Sequence, residues 1–374
     1  KQLDQRALQI RTKKLYSKFY EFSTYIKFSK RIKKLRKQSL TDDEFKEKLN
    51  TIFNGYLFII DEAHNIRPNF DKTINVYQAM HNLFHHLDNR RVLLLTGTPI
   101  KDSVVEISFL MNLILPSDNQ IPTGKDFYTT FVVPDNFDVL KSYFTGRVSY
   151  FRANFEDIKQ VYMGEQFGNL KFFKIVPSYM SDTQSASYIE ALSMDKEKKG
   201  IFSNSRQASL MVDTNGNWGP KIKVDDMMKH LKTLGTFSEK LNYIKTYSAK
   251  YALVIKYILE HPDDNIFVYN TFVKGSGILV LARLLDLFDF SRSTKGFENN
   301  KGKRYAVLTN EMTNPIRTMN IINTFNSPKN VHGEYIQVIL GSKITSEGLT
   351  FKNVRHVHVL TPFWNFTDIE QAIA

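Results

Sequence analysis

Short apolar runs recur along the chain, each closed by a polar or glycine-containing turn and followed by a longer stretch with apolar residues three and four apart. Runs of the first kind read as strands and stretches of the second as amphipathic helices, so their alternation predicts parallel strands with crossover helices, an α/β fold. The strand candidates are YLFII (56–60), VLLL (92–95), IFVY (266–269), YAVL (305–308), YIQVIL (335–340) and VRHVHVL (354–360). They form two groups. Between them, VYMGEQFGNLKFF, MDKEKKG and DTNGNWGP read as irregular strand and loop. The expected organisation is a first lobe over 1–150, a bridging or inserted region over 151–245 and a second lobe over 246–374.

In open parallel sheets ligands gather beyond the carboxyl ends of the strands. There the chain carries Asp61-Glu62-Ala63-His64, Thr96-Gly97-Thr98-Pro99, 270–277 (NTFVKGSG), 341–348 (GSKITSEG) and 361–365 (TPFWN). Two adjacent carboxylates repel each other unless a cation sits nearby. Mg2+ sheds its waters reluctantly and is commonly held by one carboxylate through its hydration shell, with substrate phosphates at other positions. A second carboxylate is then placed to orient or deprotonate an attacking water, and phosphoryl transfer needs little beyond positioning and charge neutralisation. On that reading Asp61 is the metal-side acid and Glu62 the water-side base. Read alone, the same two residues also suit the first turn of a helix, where acids complement the dipole.

Composition narrows the class. Apolar residues make up 42% and charged residues 24%, as in a soluble globular protein. No apolar run has the length of a membrane span, no secretory leader pattern follows Lys1, and there is no cysteine, so disulfides and thiolate metal sites are excluded. The expectation is an intracellular protein without a membrane partner. Charge is uneven: residues 1–37 hold thirteen Lys and Arg against Asp4 and Glu21, and the chain as a whole carries +13. The dense run KFSKRIKKLRK (27–37) suits nucleic-acid phosphates or a solvated helix face, and charge alone leaves both open.

The order IIDEAHN, LLLTGTPI, SKITSEGL and PFWNFTDIEQAI resembles the ordered motifs of superfamily 2 helicase-like ATPases. TGTP and the WN…Q ending resemble the Swi/Snf-type branch. STYIKF, EAHNIR, GRVSYFR and VYNTFVKGSGI are similar to its viral members, the poxvirus early transcription factor small subunit and nucleoside triphosphatase I, with relatives in other large cytoplasmic DNA viruses. The resemblance covers most of the chain. It implies two RecA-like parallel-sheet lobes with a bridging insertion, ATP and Mg2+ as cofactors, and an ATP hydrolase acting on nucleic acid, duplex DNA first, in viral transcription. RNA polymerase or a second transcription factor subunit is the implied protein partner, and the host cytoplasm (viral factory) and virion the implied location.

Residue by residue, the resemblance gives Asp61 and Glu62 the metal and water roles and makes His64 a link from the nucleotide site to the interdomain cleft. Thr96, Gly97 and Thr98 would couple hydrolysis to movement. Thr24 and Tyr25 would contact a nucleic-acid backbone in the first lobe, and Asn270, Lys274, Ser342, Lys343 and Thr345 in the second. Ser346, Glu347 and Gly348 match the fifth motif, which faces both nucleotide and strand, and Gln371 opens the sixth.

Two departures qualify the resemblance. No Gly-rich loop ending in Lys-Ser/Thr occurs, and EQAIA stops where the family continues with arginines that stabilise the transition state. The expectation is an internal portion of an ATPase core that by itself binds ATP weakly and scarcely hydrolyses it. A non-catalytic nucleic-acid-binding transcription scaffold with a degenerate ATPase fold is the alternative. A DEAH-type RNA helicase is disfavoured by TGTP and PFWN. His81 and His85, four apart on a probable helix, lack a third ligand at zincin spacing and read as ordinary helix residues. Gly275 and Gly277 suit either a phosphate-receiving helix start or a flexible turn. Trp364 and Asn365 suit either nucleic-acid contact or a lobe interface.

Overall fold

The computed structural model describes residues 15–66, 68, 76–100, 102–150, 176–197, 202–296, 300–309, 314–342 and 349–362. The chain divides into two compact units, Lys1–Asp157 and Ile158–Ala374.

The first unit opens with α1 (Tyr25–Lys37) and α2 (Asp42–Phe53). Each starts on a threonine whose hydroxyl accepts an orphan backbone N–H: Thr24 from Lys27 at 3.4 Å and Thr41 from Glu44 at 3.2 Å. Asp42, Asp43 and Glu44 fill the first turn of α2, and Lys34, Arg36 and Lys37 the last turn of α1, each matching the local sign of the helix dipole. Phe45, Leu49 and Phe53 recur every four residues and so form one buried stripe on α2. This stripe meets Ile32 of α1 and the inward side of β1 (Leu57–Ile60), whose Phe58 ring stands edge-on to Phe84 at 5.2 Å. After α3 (Val76–His86) the chain returns as β2 (Arg91–Leu94), parallel to β1 with Leu57 opposite Arg91 and Ile60 opposite Leu94. Both strands lie where the apolar runs predict. Their alternate residues Leu57, Ile59 and Leu93 are 57%, 54% and 45% exposed among the described residues. Beyond α4 (Glu106–Asn112), Met111, Leu115, Ile121, Phe127 and Phe131 form a smaller core, closed by α5 (Phe137–Phe144).

In the second unit α6 (Asp182–Glu197), α7 (Ser203–Ala208), α8 (Asp225–Thr233), α9 (Phe237–Tyr247) and α10 (Ala249–Glu260) precede the sheet. Helices thus replace much of the irregular strand expected between 176 and 245. Leu210, Met211, Met227, Leu231 and Ile244 share one core with Ile266 and Val268, because side chains that look scattered in sequence come from the inner faces of short helices and from the turn that follows α7. DTNGNWGP is a loop, as expected. Fully buried Asp213 organises it by accepting backbone N–H bonds from Asn215, Asn217 and Lys223, each at 2.9 Å. The run 161–173 and residues 198–200 lie outside the described residues.

The sheet comprises β3 (Asn265–Tyr269), β4 (Ser291–Arg292), β5 (Arg304–Leu308), β6 (Val338–Gly341) and β7 (Val354–Val359), in the order β4-β5-β6-β3-β7, with every pair parallel. Two helices complete the layers: α11 (Ile278–Leu285) on one face and α12 (Pro315–Phe325) on the other. Period-two alternation sorts the strands: Ile266, Val268, Tyr305, Val307 and Val338 face α10 and α11, whereas Phe267, Tyr269, Ala306, Leu308 and Ile339 face α12. Near-continuous apolar strands are what a sheet covered on both sides requires. The two polar residues of β4 leave no apolar run to predict.

Candidate functional site

At the carboxyl ends of β1 and β2 the chain builds a compact polar junction. Leu95 donates its N–H to Ile60 O at 2.8 Å and Ala63 donates to Leu95 O at 2.9 Å, so the ladder continues past both strands and brings DEAH beside TGT. Glu62 turns the chain there with φ 52° and ψ 48°, a left-handed conformation that a side chain with a Cβ rarely adopts. This turn leads into a single 3₁₀ turn, Ala63–Asn65, and carries His64 to 3% exposure.

His64 Nδ1 lies 2.9 Å from Thr96 Oγ1, 3.4 Å from Thr98 Oγ1 and 3.2 Å from Glu62 Oε2. Because a carboxylate only accepts, the pairing with Glu62 calls for the tautomer with the proton on Nδ1. Thr96 Oγ1 also accepts the Thr98 N–H at 3.1 Å. One imidazole therefore joins the acid of the first motif to both hydroxyls of the second. Gly97, at the tip, is exposed, and among the described residues a Cβ there would meet nothing within 4 Å.

Asp61 is exposed and accepts the Glu62 N–H on Oδ1 at 3.1 Å. Glu62, the residue preceding the 3₁₀ turn, makes no side-chain cap to it. The helix-cap reading of the acid pair therefore does not hold for Glu62. An exposed Asp carboxylate next to a second one at a strand end is a hard-oxygen donor set, which suits Mg2+ held through its waters.

The predicted nucleic-acid contacts separate. Thr24 is exposed but caps α1, and the Tyr25 hydroxyl donates to the Asp61 carbonyl, so this tyrosine braces the acidic turn from a position remote in sequence. No sequence signal announces that contact. Asn270 requires correction: it is fully buried, its Oδ1 accepts the Phe272 N–H at 2.9 Å and the Thr361 hydroxyl at 3.2 Å, and its Nδ2 donates to Tyr251 Oη at 3.3 Å. A side chain so enclosed shapes the rim rather than touching a strand. Ser342, at 2% exposure, is likewise interior, while Lys274 is exposed. Lys343, Thr345, Ser346, Glu347, Gly348, Trp364, Asn365 and Gln371 lie outside the described residues.

The loop 270–277 is packed from within. Gly275 has φ +64° and a Cβ there would meet the backbone of Gly219, while one on Gly277 would run into the Phe272 carbonyl. The buried Ser276 hydroxyl accepts the Gly219 N–H at 2.9 Å and donates to Met211 O at 2.7 Å. Close packing therefore accounts for both glycines. His81 and His85 behave as expected of ordinary helix residues: their rings stack at 4.0 Å, both reach Gln120, and His85 Nε2 meets Leu115 O at 3.1 Å.

Two rim cations escape a sequence reading. Arg206 Nη2 donates to Thr271 Oγ1 at 3.2 Å and its guanidinium lies over Phe272 at 5.2 Å. Lys250 Nζ donates to Ser209 Oγ at 3.1 Å and Leu360 O at 3.2 Å. Burial, with the nearby Arg206 charge adding to it, lowers the Lys250 pKa to about 8. Both cations stand by the carboxyl ends of β3 and β7, where the sheet rule places ligands.

Residues 22–160 match the SNF2-related domain and residues 249–374 the helicase conserved C-terminal domain. Among similar proteins, "Putative helicase 087L" of Invertebrate iridescent virus 3 is 38% identical over 95% of this chain and 35% of its own length. "Putative ATP-dependent RNA helicase R563" of Acanthamoeba polyphaga mimivirus is 29% identical over 95% of this chain and 60% of its own length. "Termination factor NPH-I homolog" of African swine fever virus is 26% identical over 83% of this chain and 51% of its own length. The chain thus spans between about a third and three fifths of these relatives. Its parallel α/β units, the acid–histidine–threonine junction and these matches together place it in the superfamily 2 helicase family, as an SNF2-related domain followed by a helicase C-terminal domain of the kind found in large DNA viruses.

Proposed function

We propose that the chain is the motor core of an ATP-dependent, duplex-DNA-directed helicase-family enzyme acting in viral transcription. The observation that carries this reading is the junction in which one buried imidazole, His64, holds Glu62 together with Thr96 and Thr98 at the ends of two parallel strands. Bound Mg2+ would neutralise phosphate charge and bring the triphosphate to Asp61. Glu62 orients and deprotonates the attacking water. His64 passes any displacement of that carboxylate to the TGT segment, so the state of the nucleotide is felt by the backbone at Gly97. Ser346, Glu347, Gly348 and Gln371 complete the nucleotide side, and Lys274, Lys343 and Thr345 the nucleic-acid side.

Duplex DNA is favoured by TGTP and PFWN, and a transcription role by the termination-factor name of the African swine fever virus relative. RNA is the second reading, favoured by the RNA-helicase name of the mimivirus relative. Translocation along duplex, association with RNA polymerase or a second transcription factor subunit, and residence in viral factories and virions belong to the same proposal. The test is ATP hydrolysis by the protein as its natural reading frame encodes it, measured alone, with duplex DNA and with RNA. Stimulation by duplex DNA is the expected result. Stimulation by RNA alone would move the substrate to the second reading, and no hydrolysis under any condition would leave a scaffold.

A further inference from the structure

Within the second unit, the end of α10 and the edge of the sheet bring together a different donor set. We propose that His261, Asp264 and His356 bind a divalent transition-metal ion of the zinc type, which clips strand β7 to the end of α10. Their ligand atoms all lie within 4.8 Å of one another, with His356 Nε2 and Asp264 Oδ2 at 2.8 Å. Tetrahedral bonds of 2.0–2.1 Å place ligand atoms about 3.3 Å apart, so side-chain rotations close the set without moving the backbone.

The outer partners are already arranged. Tyr257 O takes the Nδ1 hydrogen of His261 at 2.8 Å, which leaves the Nε2 lone pair of that ring available. Tyr257 Oη lies 2.9 Å from His356 Nδ1, so the same tyrosine orients the second imidazole and can accept its Nδ1 hydrogen when Nε2 ligates. The Tyr257 ring also stacks on His261 at 4.1 Å between centroids and meets His356 nearly edge-on at 5.0 Å. The backbone is held too, since Gln337 Nε2 donates to His261 O at 2.8 Å. Two imidazoles and one carboxylate form a borderline donor set that prefers Zn2+ to Mg2+ or Ca2+. The Asp264 and His356 side chains are 35% and 24% exposed, which leaves room for water as a fourth ligand. A simple Asp264–His356 ion pair makes no use of the His261 ring nitrogen that lies within 4.8 Å of it. The location gives the clip a purpose: β7 is an edge strand among the described residues, and it leads to Thr361, whose hydroxyl is bonded to Thr271 and Asn270.

The test uses the whole chain, stripped with a chelator and titrated with Zn2+ by calorimetry, with Co2+ absorption and zinc X-ray absorption on the unsubstituted protein. One equivalent should bind, with imidazole and oxygen neighbours, and raise the melting temperature. His261→Ala and Asp264→Asn should each weaken binding by about tenfold or more, while His81→Ala/His85→Ala leaves it unchanged. Absence of zinc binding would overturn the proposal, as would unchanged affinity in the His261 and Asp264 variants. If those variants fail to fold, the neighbours seen by X-ray absorption decide, and a shell without imidazole refutes the site.

Discussion

Glu62 sits in a conformation that costs an ordinary residue about 1–3 kcal/mol, and such backbone is kept where the surroundings over-determine it. Here the surroundings are the ladder bonds of Ala63 and Leu95, the Tyr25 hydroxyl on Asp61 and the His64 pairing. Replacing His64 by Ala leaves the Thr96 and Thr98 hydroxyls facing a cavity, and we expect a loss of about 1–3 kcal/mol in denaturant unfolding. Asn270→Ala should cost a similar amount, because three buried hydrogen bonds are lost, yet its effect on DNA affinity should follow stability alone. Lys274→Ala should do the reverse, weakening DNA binding at unchanged stability.

Lys250 makes a prediction about pH. Its folded pKa of about 8 lies below its ordinary value of 10.5, so between these values the unfolded chain binds the extra proton. Stability therefore rises with pH across that window, and the cost of burying the charge is present in full below pH 8. Measured against Lys250→Met, the native chain should gain about 1.4 kcal/mol per pH unit between 8 and 10.5. A flat difference would mean that the ammonium is not desolvated.

At the scale of elements, α1 converts a run of charge into a surface. Lys27, Lys30, Lys34 and Lys37 are all exposed and fall at alternating spacings of three and four, so they share one side of the helix. Arg31 and Arg36 instead lie over the Phe53 and Phe45 rings and pair with Glu21 and Asp42. Changing the four lysines to Gln should reduce the slope of log affinity against log salt by about 3.6, as expected if each neutralises a phosphate of duplex DNA. An unchanged slope would make the stripe a solvated face.

The same helix shows what a sequence can disclose. Its charge run is local and legible, as are the six apolar strands and the acid–histidine motif, whereas its threonine cap emerges only from the fold. Helices over 182–247 were not, because their inner faces are short and interrupted by loops such as the one organised by Asp213. Contacts made between distant segments also stay hidden, as with Tyr25 on Asp61, Lys250 on Leu360 and His356 on Asp264. Asn270 was misjudged for the same reason: a polar residue after a strand reads as ligand-facing until the neighbouring Thr361 and Tyr251 are seen to enclose it.

For the whole molecule, two parallel α/β units of a helicase family are a mechanical design only if the acidic junction hydrolyses nucleotide. That claim concentrates on a single oxygen-bearing group, the Glu62 carboxylate. The most direct measurement compares DNA-stimulated ATP hydrolysis and nucleotide affinity in the natural protein and in Glu62→Gln, which preserves shape and removes the base. We expect turnover to fall by about 10²–10⁴-fold with Mg-ATP affinity nearly unchanged; a variant that hydrolyses ATP at the native rate would contradict the account.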